Sequence, residues 1–381
     1  MNNFQFQNPT KLIFGKGQIA KLATEIPLNQ KILLTFGGGS VKQNGVYDQV
    51  KEALKNHNCV EFWGIEPNPT VETLRKAIAL GKEKQIDFLL AVGGGSVLDG
   101  TKLISAGIWN ENDAWDLVIN PKLLGKYVPF GSVLTLPATG SEMNRGAVIS
   151  NTETTEKIPF YSSYPTFSIL DPETTFSLPE FQVAVGIADT LMHVMEQYLT
   201  TPNQSPLMDR WAEGILQTLI EITPKIRKNQ HDYDQMSNFM LCATMALNGF
   251  ISMGVSQDWA THRIAHEITA LHNTTHGQSL ALIFASLMRV MAQQKQEKIL
   301  QYGSRVWNIT TGSTEEKINQ TITKTEKFFR SLGLATKLSE LNIGQDSIEK
   351  VVARFKANNT ALGENANVTS EVVRKILEMA K

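Results

Sequence analysis

Apolar residues follow two rhythms along this chain. Up to about residue 170 they come in short, nearly unbroken runs: KILLTF at 31–36, CVEFWGI at 59–65, IDFLLAV at 86–92 and GSVLTLPATG at 131–140. Runs of this length, rich in Val, Ile and Phe and closed by Gly or Pro, read as strands. Between them, stretches such as VETLRKAIALGKEKQ (71–85) repeat apolar positions at helical spacing. This alternation predicts parallel strands joined by helical crossovers. Right-handed crossovers gather the strand C-terminal ends along one edge, where such sheets bind ligands.

After about residue 180 the period is helical. QVAVGIADTLMHVMEQYL, DRWAEGILQTLIEITPKI, QMSNFMLCATMALNGF and TEEKINQTITKTEKFFRSL each carry an apolar stripe. The change of rhythm predicts two domains, an α/β domain at 1–178 and an all-helical domain at 179–381, divided at the turn DPETTFSLPE. A length of 381 residues agrees with two domains.

Composition removes several classes of function. The formal net charge of -1 offers no basic field for nucleic acid. No apolar run approaches the ~20 residues of a membrane span, and the N-terminal segment lacks the pattern of a secretion signal. The two cysteines, Cys59 and Cys242, stand in unrelated contexts, so no disulfide framework is expected and a reducing, cytoplasmic setting is.

Two of the predicted strands end in the same tetrapeptide, GGGS. Backbone N–H groups at the start of a helix attract anions, and glycine lets a phosphate approach them closely. Gly94, Gly95 and Ser96, with Asp99 one turn on, form a candidate pyrophosphate site. Gly37, Gly38 and Ser40 form a second loop expected on the same edge. A dinucleotide site selective for NAD places a carboxylate on the adenosine ribose. No acid follows the first strand until Asp48, and Ser40 and Lys42 stand there instead, so the loop suits the 2′-phosphate of NADP(H). A third loop, PATGSEMN, brings Thr139, Ser141 and Asn144 to the same edge, with Thr135 just before it and Lys157 further on.

Four of the seven histidines, His262, His266, His272 and His276, fall in one segment. His193 lies four residues after Asp189, and His262 four before His266, so each pair shares a helical face. Asp with several His suits Fe²⁺ or Zn²⁺. Spacing alone leaves open which histidines bind.

NPTKLIFGKG, GGGSVLDGTK, LPATGSE, GIADTLMHVMEQY and the spacing H-x3-H-x9-H together resemble the iron-dependent (group III) alcohol dehydrogenase family. GGGSVK, GIEPNPT, QDWATH and ALGE narrow the likeness to its butanol dehydrogenase and aldehyde reductase branch. The resemblance runs over essentially the whole chain. It implies a dehydroquinate synthase-like fold, with a Rossmann-like N-terminal domain, a helical C-terminal domain and a metal in the cleft between them. It places the metal ligands at Asp189, His193, His262 and His276, and puts His266 near the nicotinamide without binding the metal; the proton route to the product is then His266 or a chain of water. It places cofactor contacts at Gly37, Gly38, Ser40, Asn68, Gly94, Gly95, Ser96, Asp99, Thr135, Thr139, Ser141 and Lys157. No role follows for His272.

These expectations add up to reversible hydride transfer between NADPH and short-to-medium-chain aldehydes in a cytoplasmic homodimer. Phe250, Met253, Trp259 and Leu271 are expected to supply an apolar pocket. Two alternatives are a lyase of the dehydroquinate synthase type, which needs a basic cluster for an acidic substrate, and a metal-stabilised nucleotide sensor without catalysis. Near the histidines Arg263 is a lone cation, which disfavours the lyase.

Overall fold

The computed structural model describes residues 1–381. Strands form at the four apolar runs, as β2 (Lys31–Phe36), β3 (Asn58–Phe62), β4 (Phe88–Gly94) and β5 (Phe130–Leu136). Two short strands that patterning did not single out, β1 (Lys11–Phe14) and β8 (Phe167–Leu170), extend the sheet. These six are parallel, in the order β1-β8-β5-β4-β2-β3. β6 (Gly146–Asn151) and β7 (Glu156–Tyr161) pair separately as an antiparallel hairpin.

The unbroken apolar runs have a simple cause. Both faces of a parallel sheet are covered, so alternate residues enter different cores. Leu33, Leu89 and Ala91 belong to one cluster; Ile32, Leu34, Phe36, Phe88, Leu90 and Val92 belong to the other. Because β2, β4 and β5 are parallel neighbours, the chain leaves their C-terminal ends side by side. The loops after them therefore share one sheet edge, the arrangement that binds nucleotides.

The chain folds as two compact units, and the division is not a single cut. One unit holds Gln7–Pro179 with Ile226–Asn248; the other holds Met1–Phe6, Glu180–Lys225 and Gly249–Lys381. The helix Tyr233–Ala246, expected in the C-terminal domain, thus belongs with the sheet. Side-chain bonds explain this. The Thr244 hydroxyl donates to Glu142 Oε1 at 2.5 Å, and Asn144 Nδ2 donates to Leu247 O at 3.1 Å. In return, the N-terminal residues join the helical unit: Asn2 N donates to Gly254 O at 2.8 Å, and Phe6 packs edge-on against Phe250.

In the helical unit, apolar spacing decides which way the histidines face. In the helix Ala260–His272, residues Ala260, Ile264 and Ile268 recur every fourth position and enter a core with Leu282, Leu287, Val351 and Val373. His262 and His266 are left on another face. Leu271, expected beside the substrate, packs against that core instead, because it extends the same stripe. Phe250 stacks on Trp211 with ring centroids 4.2 Å apart. No helix is long and apolar enough to cross a membrane.

Candidate metal centre and cofactor edge

Asp189 and His193 project from the helix Glu180–Tyr198, His262 from Ala260–His272, and His276 opens the helix His276–Val290. The last of these helices comes close because residue 277 is glycine: a Cβ there would lie 2.2 Å from Val185 O of the first. Asp189 Oδ1 is 3.6 Å from His193 Nε2, 3.7 Å from His262 Nε2 and 3.6 Å from His276 Nε2. These separations exceed a hydrogen bond. Donors bonded at ~2.0–2.1 Å to one tetrahedral cation lie about 3.4 Å apart, close to what is seen.

Burial sharpens the point. Asp189, His193 and His262 are no more than 6% exposed. Asp189 Oδ1 and His262 Nε2 are buried without a hydrogen-bond partner, a costly state that a bound cation relieves. The donor oxygen and nitrogens of Asp189, His262 and His276 all lie within 4.8 Å of one another. The set fits a divalent cation.

Charge tells the same story. Burial alone raises the Asp189 carboxyl, but the neighbouring His193, His276 and His262 overcome this and hold it below the usual carboxylate range. Burial lowers the His262 imidazole, yet the neighbouring carboxylates of Glu196 and Asp189 push it up to about 9. The pocket is therefore built to hold positive charge.

Glu196 is a functional residue that sequence reasoning missed. It lies seven residues after Asp189 and three after His193, so the helical spacing that paired those two also carried a signal for it. Its carboxylate accepts from Thr261 N at 2.5 Å and His262 N at 3.2 Å, and makes a close contact with His262 Nδ1. The helix Ala260–His272 has no side-chain cap from its own N-cap residue, Trp259. Glu196 supplies that cap from the aspartate helix and leaves His262 Nε2 facing Asp189.

His266 is 6% exposed, with its ring 5.0 Å from that of His276 and 6.4 Å from that of His262. It stands beside the donors without joining the tight group. His272 is elsewhere: it lies at the exposed end of its helix and bonds Ser347 Oγ at 2.8 Å.

The cofactor candidates lie in the sheet unit. Gly94 caps the 14-residue helix Gly95–Ile108, which carries Ser96 in its first turn and Asp99 just beyond it. Gly95 is also constrained from within, since a Cβ would lie 2.6 Å from Thr139 Oγ1 and press the glycine loop into the 137–144 loop. Gly37 and Gly38 follow β2, and a Cβ at Gly38 would meet nothing within 4 Å. Ser40 and Lys42 are exposed on the short helix Ser40–Gln43 that follows the glycines, and Lys42 Nζ lies 4.0 Å from the centre of the Trp63 ring. Lys157 Nζ donates to Asn68 Oδ1 at 2.8 Å, joining two candidates far apart in sequence.

Asp99 and Ser141 have internal duties. Ser141 Oγ donates to Asp99 Oδ1 at 2.6 Å, and Asp99 Oδ2 accepts from Val148 N at 2.9 Å. Lys102, fully buried, donates to Ser141 Oγ at 2.7 Å, Asn144 Oδ1 at 3.0 Å and Gly146 O at 2.6 Å. This lysine, absent from the sequence expectations, shapes the third loop. Ser141 is 1% and Thr135 7% exposed, so the loop edge open to solvent is offered by Thr139, which is half-buried.

Comparison with known proteins gives one consistent result. Residues 9–172 match the family model described as iron-containing alcohol dehydrogenase, and residues 183–381 match that of the Fe-containing alcohol dehydrogenase family, C-terminal. The chain is 49% identical to the NADPH-dependent aldehyde reductase YqhD of Escherichia coli, over 100% of both chains. It is 42% identical to the probable NADH-dependent butanol dehydrogenase 1 of Bacillus subtilis, over 99% of both. Among solved structures, the substrate- and cofactor-free form of the E. coli aldehyde reductase YqhD superposes with a TM-score of 0.93, at 47% identity and 100% coverage of both chains. The NADH-dependent butanol dehydrogenase A of Thermotoga maritima gives 0.95 at 35% identity, covering 100% of this chain and 99% of its own.

Proposed function

Since the chain belongs to the iron-containing alcohol dehydrogenase family, we propose that it is a divalent-metal-dependent, NADPH-linked aldehyde reductase, reversible to primary alcohols. The observation that carries this reading is the convergence of His193, His262 and His276 on the unpartnered oxygen of Asp189. When bound, the cation supplies Lewis-acid polarisation of a carbonyl oxygen and the reduced nicotinamide supplies hydride.

The chain's own residues do the rest. Asp189, His193, His262 and His276 hold the cation, and Fe²⁺ and Zn²⁺ both suit this donor set. Glu196 fixes the ring of His262. His266, next to the ring of His276, holds the proton delivered to the product oxygen. Gly94, Gly95 and Ser96 receive the pyrophosphate on the N–H groups that open the helix Gly95–Ile108. Asp99 and Ser141 set the loop geometry around Thr139, Thr135 lies just before that loop in β5, and Asn68 and Lys157 act as a joined pair. Gly37, Gly38 and Ser40 take the adenosine end.

NADPH is favoured over NADH because the 37–40 loop has an open glycine where a carboxylate would stand, and the Lys42 ammonium nearby. The E. coli and Bacillus relatives differ in this respect by name, so the loop carries the argument. The same reading makes the protein a homodimer in the cytoplasm, and its two free cysteines accord with a reducing compartment.

Substrate choice follows from chemistry. The indole of Trp259, half-buried, lies edge-on to His262 with ring centroids 5.3 Å apart, offering apolar surface. Neutral aldehydes should be reduced best. Each buried methylene contributes up to ~0.8 kcal/mol, about fourfold. Catalytic efficiency measured with NADPH from acetaldehyde to hexanal should therefore climb with chain length. A flat series, or a preference for a charged 2-oxo acid, would contradict the reading.

A further inference from the structure

Two sequence motifs, QDWATH and ALGE, are left without a role by the chemistry above. In the structure they meet. Lys295 Nζ donates to Asp258 Oδ2 of the first motif at 2.7 Å and to Glu364 of the second at 2.9 and 2.8 Å. It also donates to Leu199 O at 2.8 Å, just past the end of the helix that carries Asp189 and His193. The three side chains are only 2–5% exposed.

The cluster leads straight to a metal ligand. Asp258 Oδ1 accepts from Ala260 N at 2.7 Å, and Asp258 N donates to Glu196 O at 2.9 Å. Between Asp258 and Ala260 stands Trp259, at φ 63° and ψ 11°. A bulky side chain in the left-handed region is strained and persists only where its surroundings over-determine it. The Trp259 ring lies 6.3 Å from that of His193 and 5.3 Å from that of His262. Gly363, at φ +83°, turns the C-terminal segment tightly enough to seat Glu364; a Cβ on it would lie 3.4 Å from Asp258 Oδ2.

We propose that Lys295 and Glu364 are positioning residues of the metal centre. With Asp258 they form a buried clasp that holds Trp259 in its turn and sets His262 against Asp189. Stability alone does not account for the clasp, because an apolar trio of similar volume serves a core equally well. What an apolar trio cannot do is direct hydrogen bonds at the end of one ligand helix and the start of another. Lys295 does both, through Leu199 O and Asp258. The inference rests on the metal reading above.

The test uses the full chain and does not depend on turnover. Zinc affinity is measured by competition with a chromophoric chelator for the parent, Glu364→Ala, Glu364→Gln and Lys295→Met, together with the visible spectra of the cobalt-loaded chains and far-UV circular dichroism. The Ala and Met variants should bind zinc about tenfold more weakly or worse, with an altered cobalt spectrum and retained helical content. Glu364→Gln, which keeps an acceptor for Lys295, should recover most of the affinity. Glu364→Ala with the parent's zinc affinity and cobalt spectrum overturns the proposal, whatever happens to thermal stability, and decides the matter even if Lys295→Met fails to fold. A parent that binds no zinc overturns the metal centre itself and the clasp with it.

Discussion

His262 shows how much a single residue depends on its neighbours. One side of its ring meets Asp189 and the other Glu196, and the two acids together raise its basicity. Carboxylates behind metal-binding histidines fix ring orientation and strengthen the ligand. Glu196→Gln should therefore weaken zinc binding by about 10–100-fold, read by isothermal titration, while the fold persists. Unchanged affinity would show that Glu196 is only a helix cap. The residue scale is where the sequence was most readable for the metal: Asp189 and His193 announce themselves by i, i+4 spacing. It was less readable for support. Glu196 and Lys102 are charged residues on helices, indistinguishable by type from solvated ones until burial and partners are known.

At the scale of elements, the loops at the ends of β2, β4 and β5 share an edge because those strands are parallel neighbours. Strand–helix alternation was enough to foresee this. β1 and β8 escaped notice because four residues are too few to establish a period. Two predictions belong here. Gly38 has open space around a would-be Cβ and no left-handed φ, so Gly38→Asp should fold normally. A new carboxylate repels a 2′-phosphate by at least about 1 kcal/mol at 4 Å even in water. The NADPH-to-NADH ratio of catalytic efficiencies should fall roughly tenfold or more; an unchanged ratio would mean the loop does not meet the adenosine ribose.

The second prediction concerns the buried tie between the helix Gly95–Ile108 and the third loop. Burial pushes Lys102 down to about 8, against the opposing pull of Asp99 and Glu142. Between about pH 8 and 10.5 the unfolded chain keeps a proton that the folded chain has released. Unfolding then takes up a proton, so stability rises with pH across that window. Comparing urea unfolding of the parent and Lys102→Met, the stability difference in the parent's favour should grow by about 2 kcal/mol from pH 8 to pH 10. A constant difference would show that Lys102 titrates normally.

Over the whole molecule, local patterning met its limit. The change of rhythm near residue 180 marks where strands give way to helices, yet the helix Tyr233–Ala246 packs with the sheet and Met1–Phe6 with the helices. Helical period reveals an apolar face but not which body covers it; that choice is made by long-range bonds such as Thr244 to Glu142. The clasp of Asp258, Lys295 and Glu364 is non-local in the same way. Asp189, His193, His262 and His276 lie in the helical unit, and the glycine loops after β2 and β4 lie in the sheet unit. The most direct test is the consumption of NADPH with butanal by the chain as purified, after exhaustive chelation, and after returning Fe²⁺ or Zn²⁺. The account predicts one NADPH oxidised per butanol formed, loss of the rate to background on chelation, and recovery with metal content. A metal-stripped chain that reduces butanal at the original rate, or a loaded chain that leaves NADPH untouched, would contradict it.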